Sequence, residues 1–238
     1  MRTLVLLSCV LACCACGSPV PSTPYPTPVS IFLAYPPYLQ PSADVFIACA
    51  SQDPSLGLFL NPIQAARSSL PGPLIELTLG IGDMAGEHLY QVGSDELQII
   101  VNSRNPIRSL SAERVGAIYS GQVTTWDPES LGAIQLWSYP AENALKIAFE
   151  AAFSVAAIPA APANIAPDPE AMLSAVAADE AAIGYLPASW LPEAETGPIA
   201  RISISSTQDI DLVLPLIASV SEQPAGSLLV LLSCAQNP

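Results

Sequence analysis

Very few residues in this chain could carry out a reaction. One histidine, His88, stands in a Gly- and acid-containing segment that reads as a loop. No H-E-x-x-H, G-x-S-x-G or G-x-x-x-x-G-K-[ST] string occurs. Gly80-Ile-Gly82-Asp-Met-Ala-Gly86 follows an apolar run as a dinucleotide loop would. Its last glycine comes one place late and no helix starts at Gly82, so it reads as a turn. Asp179-Glu180 stands at a helix end with no apolar pocket beside it, and reads as a solvated pair. Histidine and cysteine do not cluster at metal-ligand spacing. No metal and no cofactor are expected, and no residue is assigned a catalytic role.

Binding chemistry is better supplied. Residues 134–138 read as a strand that passes through a short loop into a helix starting near Asn143. The first turn of a helix presents unpaired N–H groups and the positive end of a dipole. Such a terminus holds an anion without any basic side chain. The contacts expected there come from Ser138, Tyr139, Asn143, Ala144 and Leu145. The plain alternative stays open, because every helix has an N-terminus and most bind nothing.

Composition narrows the partners. The 238 residues carry 7 Lys+Arg against 21 Asp+Glu, a formal charge of −14, and 51% are hydrophobic. A chain this apolar can bury enough surface to offset its conformational entropy, which excludes disorder. No basic stripe exists to displace counterions, which argues against a nucleic-acid partner. Any clamp of basic side chains must draw on Lys146 and six arginines. The 25 prolines argue for many short elements with firm ends. The length suits one or two compact domains.

The N-terminus reads as a targeting segment. Met1-Arg2 precedes an apolar run, residues 3–12, too short to span a bilayer as a helix. Cys13-Cys14-Ala15-Cys16 and Gly17-Ser18 follow, and this resembles the lipobox of bacterial lipoproteins, where a signal peptidase cuts before a cysteine that carries lipid. The resemblance implies a signal peptide over residues 1–15 and lipid on Cys16. Cys13, preceded by Leu11-Ala12, is the rival, and an ordinary secretory signal is the third reading. Residues 16–28 are proline-rich and read as a semi-rigid tether. Lipid would hold the chain at a membrane surface without a spanning helix. Cys49 and Cys234 remain. In an oxidising compartment a bridge between them would tie the start of the fold to its end. Closing so long a loop stabilises by roughly 4–5 kcal/mol in the chain-entropy model. Two separately buried thiols are the alternative.

The elements needed to position these residues follow strand–helix–strand order. Strands are expected over 29–34, 56–60, 74–79, 96–102, 134–138, 182–187, 198–205 and 212–221. Helices are expected over 39–52, 112–119 with Ser111 as cap, 143–156 with Asn143 as cap, 169–178 and 226–234. Residues 159–169 read as a Pro/Ala loop and Gly121 as a helix breaker. The order predicts an α/β sheet with parallel members.

Two strings then become recognisable. Leu97-Gln-Ile-Ile-Val-Asn102-Ser-Arg-Asn105-Pro106, Leu110-Ser111 and Ile118-Tyr119-Ser120-Gly121-Gln-Val-Thr-Thr-Trp126 stand in order. Ala181-Ala-Ile183-Gly184-Tyr185-Leu-Pro187 follows. Together they resemble the phosphate-binding-protein family of bacterial ABC importers, with its "VN..NP", "LT/LS", "IFSGxIxxW" and "AIGYxP" segments. The resemblance covers roughly residues 95 to 190.

It implies a type II periplasmic-binding-protein-like fold of two α/β lobes joined by two crossing strands, with ligand in the cleft. Lobe 1 would take residues 29–100 and 214–238, and lobe 2 residues 101–213. Both cysteines then fall in lobe 1. The implied function is an extracytoplasmic, lipid-anchored solute-binding protein with an ABC permease as membrane partner, expected to be a monomer. The family's phosphate loop reads R-x-x-x-S-G-T-x-x-x-F. With its Phe on Phe149, Tyr139 stands at Arg, Asn143 at Ser, Ala144 at Gly and Leu145 at Thr. The guanidinium fork and both hydroxyls are gone. Ala34-Tyr35-Pro36-Pro37 stands where the family has a Gly/Ser/Thr-rich turn, and both prolines lack an N–H. The expected ligand is therefore a small solute, with small anions among the candidates but fully charged phosphate a poor one. The alternative is a degenerate binding-protein fold that serves as a surface adaptor or sensor.

Overall fold

The computed structural model of the chain describes residues 28–61, 72–80, 88–127, 131–153, 163–192, 197–205 and 210–237. The expected signal peptide, Cys13, Cys16 and all but the last residue of the tether lie outside them, as do Gly82 to Gly86 of the glycine segment.

Strand β1, Val29–Ala34, buries Ile31 and Leu33 and stops before Pro36-Pro37, as the proline restriction on preceding residues requires. A 3-10 turn, Pro37–Leu39, leads into helix α1, Gln40–Ala50, which buries Ala43, Phe46, Cys49 and Ala50. Strands β2, Leu56–Asn61, and β3, Leu74–Leu79, follow. In β3 strict alternation turns Ile75, Leu77 and Leu79 inward. Strand β4, His88–Asn102, is 15 residues long.

Next come strand β5 (Ser109–Ser111), helix α2 (Ala112–Tyr119), strand β6 (Gln135–Ser138), helix α3 (Ala144–Ala152) and the short strand β7 (Asn164–Ile165). Helix α4 (Pro169–Ala178), strands β8 (Ala182–Pro187), β9 (Ile199–Ser205) and β10 (Val213–Val220), and helix α5 (Ser227–Gln236) complete the described chain. Among the described residues no helix is long and apolar enough to cross a membrane.

The strands run in the order β2-β1-β3-β10-β4-β8-β6-β7, with β9 pairing both β4 and β5. The expected α/β sheet with parallel members is present: β1 is parallel to β2 and β3, and β6 to β7 and β8. Antiparallel β10 and β4 stand between these groups. β4 changes partners along its length. It pairs with β10 up to Glu96, then with β8 and β9 from Leu97 and Ile99 onward. The chain thus passes from one half of the sheet to the other inside β4, and returns between β9 and β10, where Leu97 N–H donates to the Leu212 carbonyl at 2.9 Å.

His88 opens β4, which corrects its reading as a loop residue. Residues 88–95 are polar on one face and bury only Val92, so periodicity alone gives a weak strand signal; the ladder with β10 makes them a strand. Strand β5 was also not read from sequence: three residues become a strand through pairing with β9. The described part of α3 ends at Ala152, short of the expected 156, and residues 154–162 lie outside the description.

The motif residues turn out to hold the fold. Buried Asn102 donates through Nδ2 to the Val176 and Ala177 carbonyls at the end of α4, and its Oδ1 accepts from Arg104 N–H. Buried Asn105 donates to the Glu180 carbonyl and accepts from Ile107 N–H. The Trp126 indole donates to the Ala181 carbonyl at 2.8 Å. A Cβ on Gly184 would run into the Met172 sulfur and come within 3.2 Å of Val176 Cγ2, so α4 lies directly on β8. Cys49 of α1 and Cys234 of α5 form a disulfide, with Cα atoms 5.9 Å apart and 185 residues between them in sequence.

Two stability outcomes follow from this packing. Reduction, or replacement of both cysteines by alanine, is expected to lower unfolding free energy by up to about 4–5 kcal/mol, read as a shift of the denaturant midpoint. Gly184→Ala is expected to cost about 1–3 kcal/mol through overpacking against Met172, read by thermal unfolding; an unchanged Tm would show that α4 lifts off β8 freely.

Candidate cleft at the carboxyl ends of the strands

A cavity of about 500 Å³ lies where β1, β3, β6 and β7 end. Ligands of open α/β sheets bind outside the carboxyl ends of strands, and the size falls in the usual range for small-molecule sites. One wall comes from the first sheet half: Pro36, Pro37 and Tyr38 after β1, and Leu77, Thr78 and Leu79 at the end of β3. The facing wall comes from the second half: Pro140, Glu142, Asn143 and Ala144 before and at the start of α3, and Pro167, Asp168 and Pro169 at the start of α4.

Each wall is fixed by ordinary local chemistry. The Tyr38 carbonyl accepts the Trp190 indole N–H at 2.8 Å, which pins the turn after β1. The Tyr38 phenol is buried, and burial pushes its pKa up to about 12. Asn143 caps α3, its Oδ1 accepting from Leu145 N–H at 2.9 Å. Asp168 caps α4, its Oδ1 accepting from Ala171 N–H at 2.8 Å, with Pro169 as the first helical residue. Both helix N-termini therefore face the cavity with a donor already satisfied by their own cap. The Thr78 hydroxyl oxygen is buried and has no hydrogen-bond partner.

The five residues expected at the site divide. Asn143 and Ala144 line the cavity. Ser138, Tyr139 and Leu145 are buried and are not among the described lining residues. Tyr139 is fully buried and packs edge-on against Tyr185, with ring centroids 5.3 Å apart. Tyr185 stacks on Phe149 at 4.0 Å, and Tyr119 joins the same cluster. Burial raises the Tyr139 phenol far above its ordinary pKa, with Tyr185 and Asp168 adding to the shift. Its hydroxyl is without a hydrogen-bond partner, whereas Tyr185 shares one with Ser138 at 3.0 Å. The aromatic ring at the loop's first position has thus become part of the core.

Sequence reasoning missed Thr78, Glu142 and Asp168. The Asp168-Pro169 pair carried a signal, since Asp before Pro at a helix start is a cap signature. Nothing in the sequence placed β3 across from α4. Among the described residues the cations lie elsewhere. Arg104 meets Glu180 at the surface, Arg108 ties the carbonyls of Ser103, Asn105 and Ile107, Arg201 reaches the Pro192 carbonyl, and Lys146 pairs with Glu150. Arg67 lies outside the described residues. Among the described lining residues none is Lys or Arg, and Glu142 and Asp168 are carboxylates.

The two buried hydroxyls are expected to respond oppositely to removal. Ser138→Ala removes the side-chain partner of the Tyr185 hydroxyl, leaving its backbone contact at Tyr139, and is expected to cost about 0.5–1.5 kcal/mol. Tyr139→Phe removes a hydroxyl with no partner and is expected to leave Tm unchanged or raise it. Equal losses in both variants, by thermal unfolding, would show that the Tyr139 hydroxyl is bonded.

Comparison with known proteins follows the same architecture. A family model described as a PBP superfamily domain matches residues 83–224. No match was found among curated proteins. The fold is similar to that of a phosphate ABC transporter substrate-binding protein from Clostridium perfringens, so described and solved with bound phosphate. The TM-score is 0.72 at 17% identity, over 86% of this chain and 92% of that one. It is also similar to an ABC-type phosphate transport receptor from Vibrio cholerae, with a TM-score of 0.59 at 16% identity, over 87% and 94% of the two chains. The reduced OxyR regulatory domain from Pseudomonas aeruginosa shares the fold at a TM-score of 0.62 and 10% identity, over 89% and 99%. At these identities the likeness concerns the fold.

Proposed function

The chain belongs to the PBP superfamily, and on that premise we propose that it is an extracytoplasmic solute-binding protein of an ABC-type importer. The observation that carries the reading is the 500 Å³ cavity held between strand ends of both sheet halves. In this proposal residues 29–100 and 214–238 form one lobe and residues 101–213 the other, with solute taken between them. Asn143 and Ala144 touch the solute, while Ser138, Tyr139 and Leu145 support that wall from below. Signal cleavage after residue 15 would leave lipid on Cys16, and the proline-rich tether, 16–28, would hold the receptor off the membrane within reach of a permease. The receptor acts as a monomer, and no residue is given a catalytic role.

The adaptor or sensor reading would be favoured by a cleft filled with the Tyr139 and Leu145 side chains. Both are buried, and the cavity stands open beside them, which supports the solute-binding reading.

Calorimetry and thermal shift on the full chain test the proposal against phosphate, sulfate, molybdate, neutral solutes and organic cations. At least one solute is expected to bind and raise Tm. Ala144→Phe, which places a ring in the cavity, is expected to weaken that binding at least tenfold while the unliganded protein stays folded. No heat and no shift with any solute would overturn the receptor reading.

A further inference from the structure

Resting on the reading of this cavity as the ligand site, we propose that its ligand is a small organic cation, an ammonium or guanidinium group on a compact apolar body. An anion would find poor conditions in this cavity. Pro36, Pro37, Pro140, Pro167 and Pro169 all border the cavity and none has an N–H to offer. The N-terminus of α3 has Leu145 N–H taken by Asn143, and that of α4 has Ala171 N–H taken by Asp168. The Asp168 carboxylate is itself the anion at the positive pole of α4, so a second anion would replace or oppose it. Among the described lining residues no guanidinium or ammonium compensates.

A cation meets the reverse conditions. Glu142 and Asp168 both border the cavity. A carboxylate offers about four acceptor sites, and the cap on α4 takes one of those of Asp168. Across from them Thr78 borders the cavity, its hydroxyl oxygen buried without a partner. Leu77, Leu79 and Tyr38 supply apolar surface for the ligand body. A bare metal ion fits less well, because among the described residues no group of three or more His, Cys, Asp or Glu could hold one. The chain's −14 charge favours approach of cations over anions.

Calorimetry of the full chain, in detergent, with choline, putrescine, arginine, inorganic phosphate, sulfate and glucose decides the matter. At least one of the three cations is expected to bind, and phosphate and sulfate are expected to give no heat. Asp168→Asn keeps a capping side chain on α4 and is expected to weaken cation binding at least tenfold. Glu142→Gln, at an exposed position outside any helix, is expected to weaken it in the same direction and reads the effect independently if Asp168→Asn unfolds. Cation affinity is expected to fall as salt rises. Binding of phosphate, sulfate or glucose in preference to every cation would overturn the inference and leave the receptor reading standing. So would cation affinity unchanged in both variants. Absence of binding by any of the six would count against the receptor reading itself.

Discussion

Everything at the cleft depends on a single strand belonging to both halves of the sheet. β4 makes one backbone ladder with β10 along its first part and another with β8 and β9 along its last. Backbone donors and acceptors buried along such a strand must all be paired, so its register leaves little freedom to either half. Leu97, Ile99, Ile100 and Val101, where the partners change, are all buried. The two walls of the cavity are the loops at strand ends of those two halves, and their spacing follows from this shared element.

The constraint reaches the site through named contacts. Asn102, the last residue of β4, holds the carbonyls at the C-terminal end of α4. Gly184 lets the same helix lie close on β8, and Asp168 closes its other end at the cavity. The residues that mark the family string therefore act as structural fasteners. They position a helix whose N-terminal pole borders the cleft. On the opposite wall, Trp190 does the equivalent for the turn at Tyr38.

The wall behind the cleft is closed by an aromatic cluster rather than by basic side chains. Tyr139 packs into an aromatic cluster with Tyr185, Phe149 and Tyr119. Burying a ring contributes apolar stabilisation that a guanidinium at that place would not. At the cavity five prolines offer no N–H, and each of the two helix caps takes one first-turn donor.

Much of the fold was legible locally. β1, β3 and β8 follow from runs of apolar residues ended by Pro or Gly, α4 starts at Pro169, and Ser111 and Asn143 cap helices through side-chain oxygens that need only their own neighbours. Cys49 and Cys234, following a segment that reads as a targeting signal, were enough to expect the bridge that joins α1 to α5. The first part of β4, the short β5 and the cavity-lining roles of Thr78 and Glu142 were not legible. A half-exposed polar strand has no periodic signature strong enough to declare itself, and its pairing comes from far along the chain, Val220 of β10 standing opposite His88. Sequence by itself determined the element types, the caps, the missing basic side chains and the prolines without N–H groups, because each is a property of one residue or its immediate neighbours. Only the tertiary structure decided that Tyr139 turns into the core and that Thr78 shares a cavity with Glu142 and Asp168, because those depend on where distant strands end beside one another.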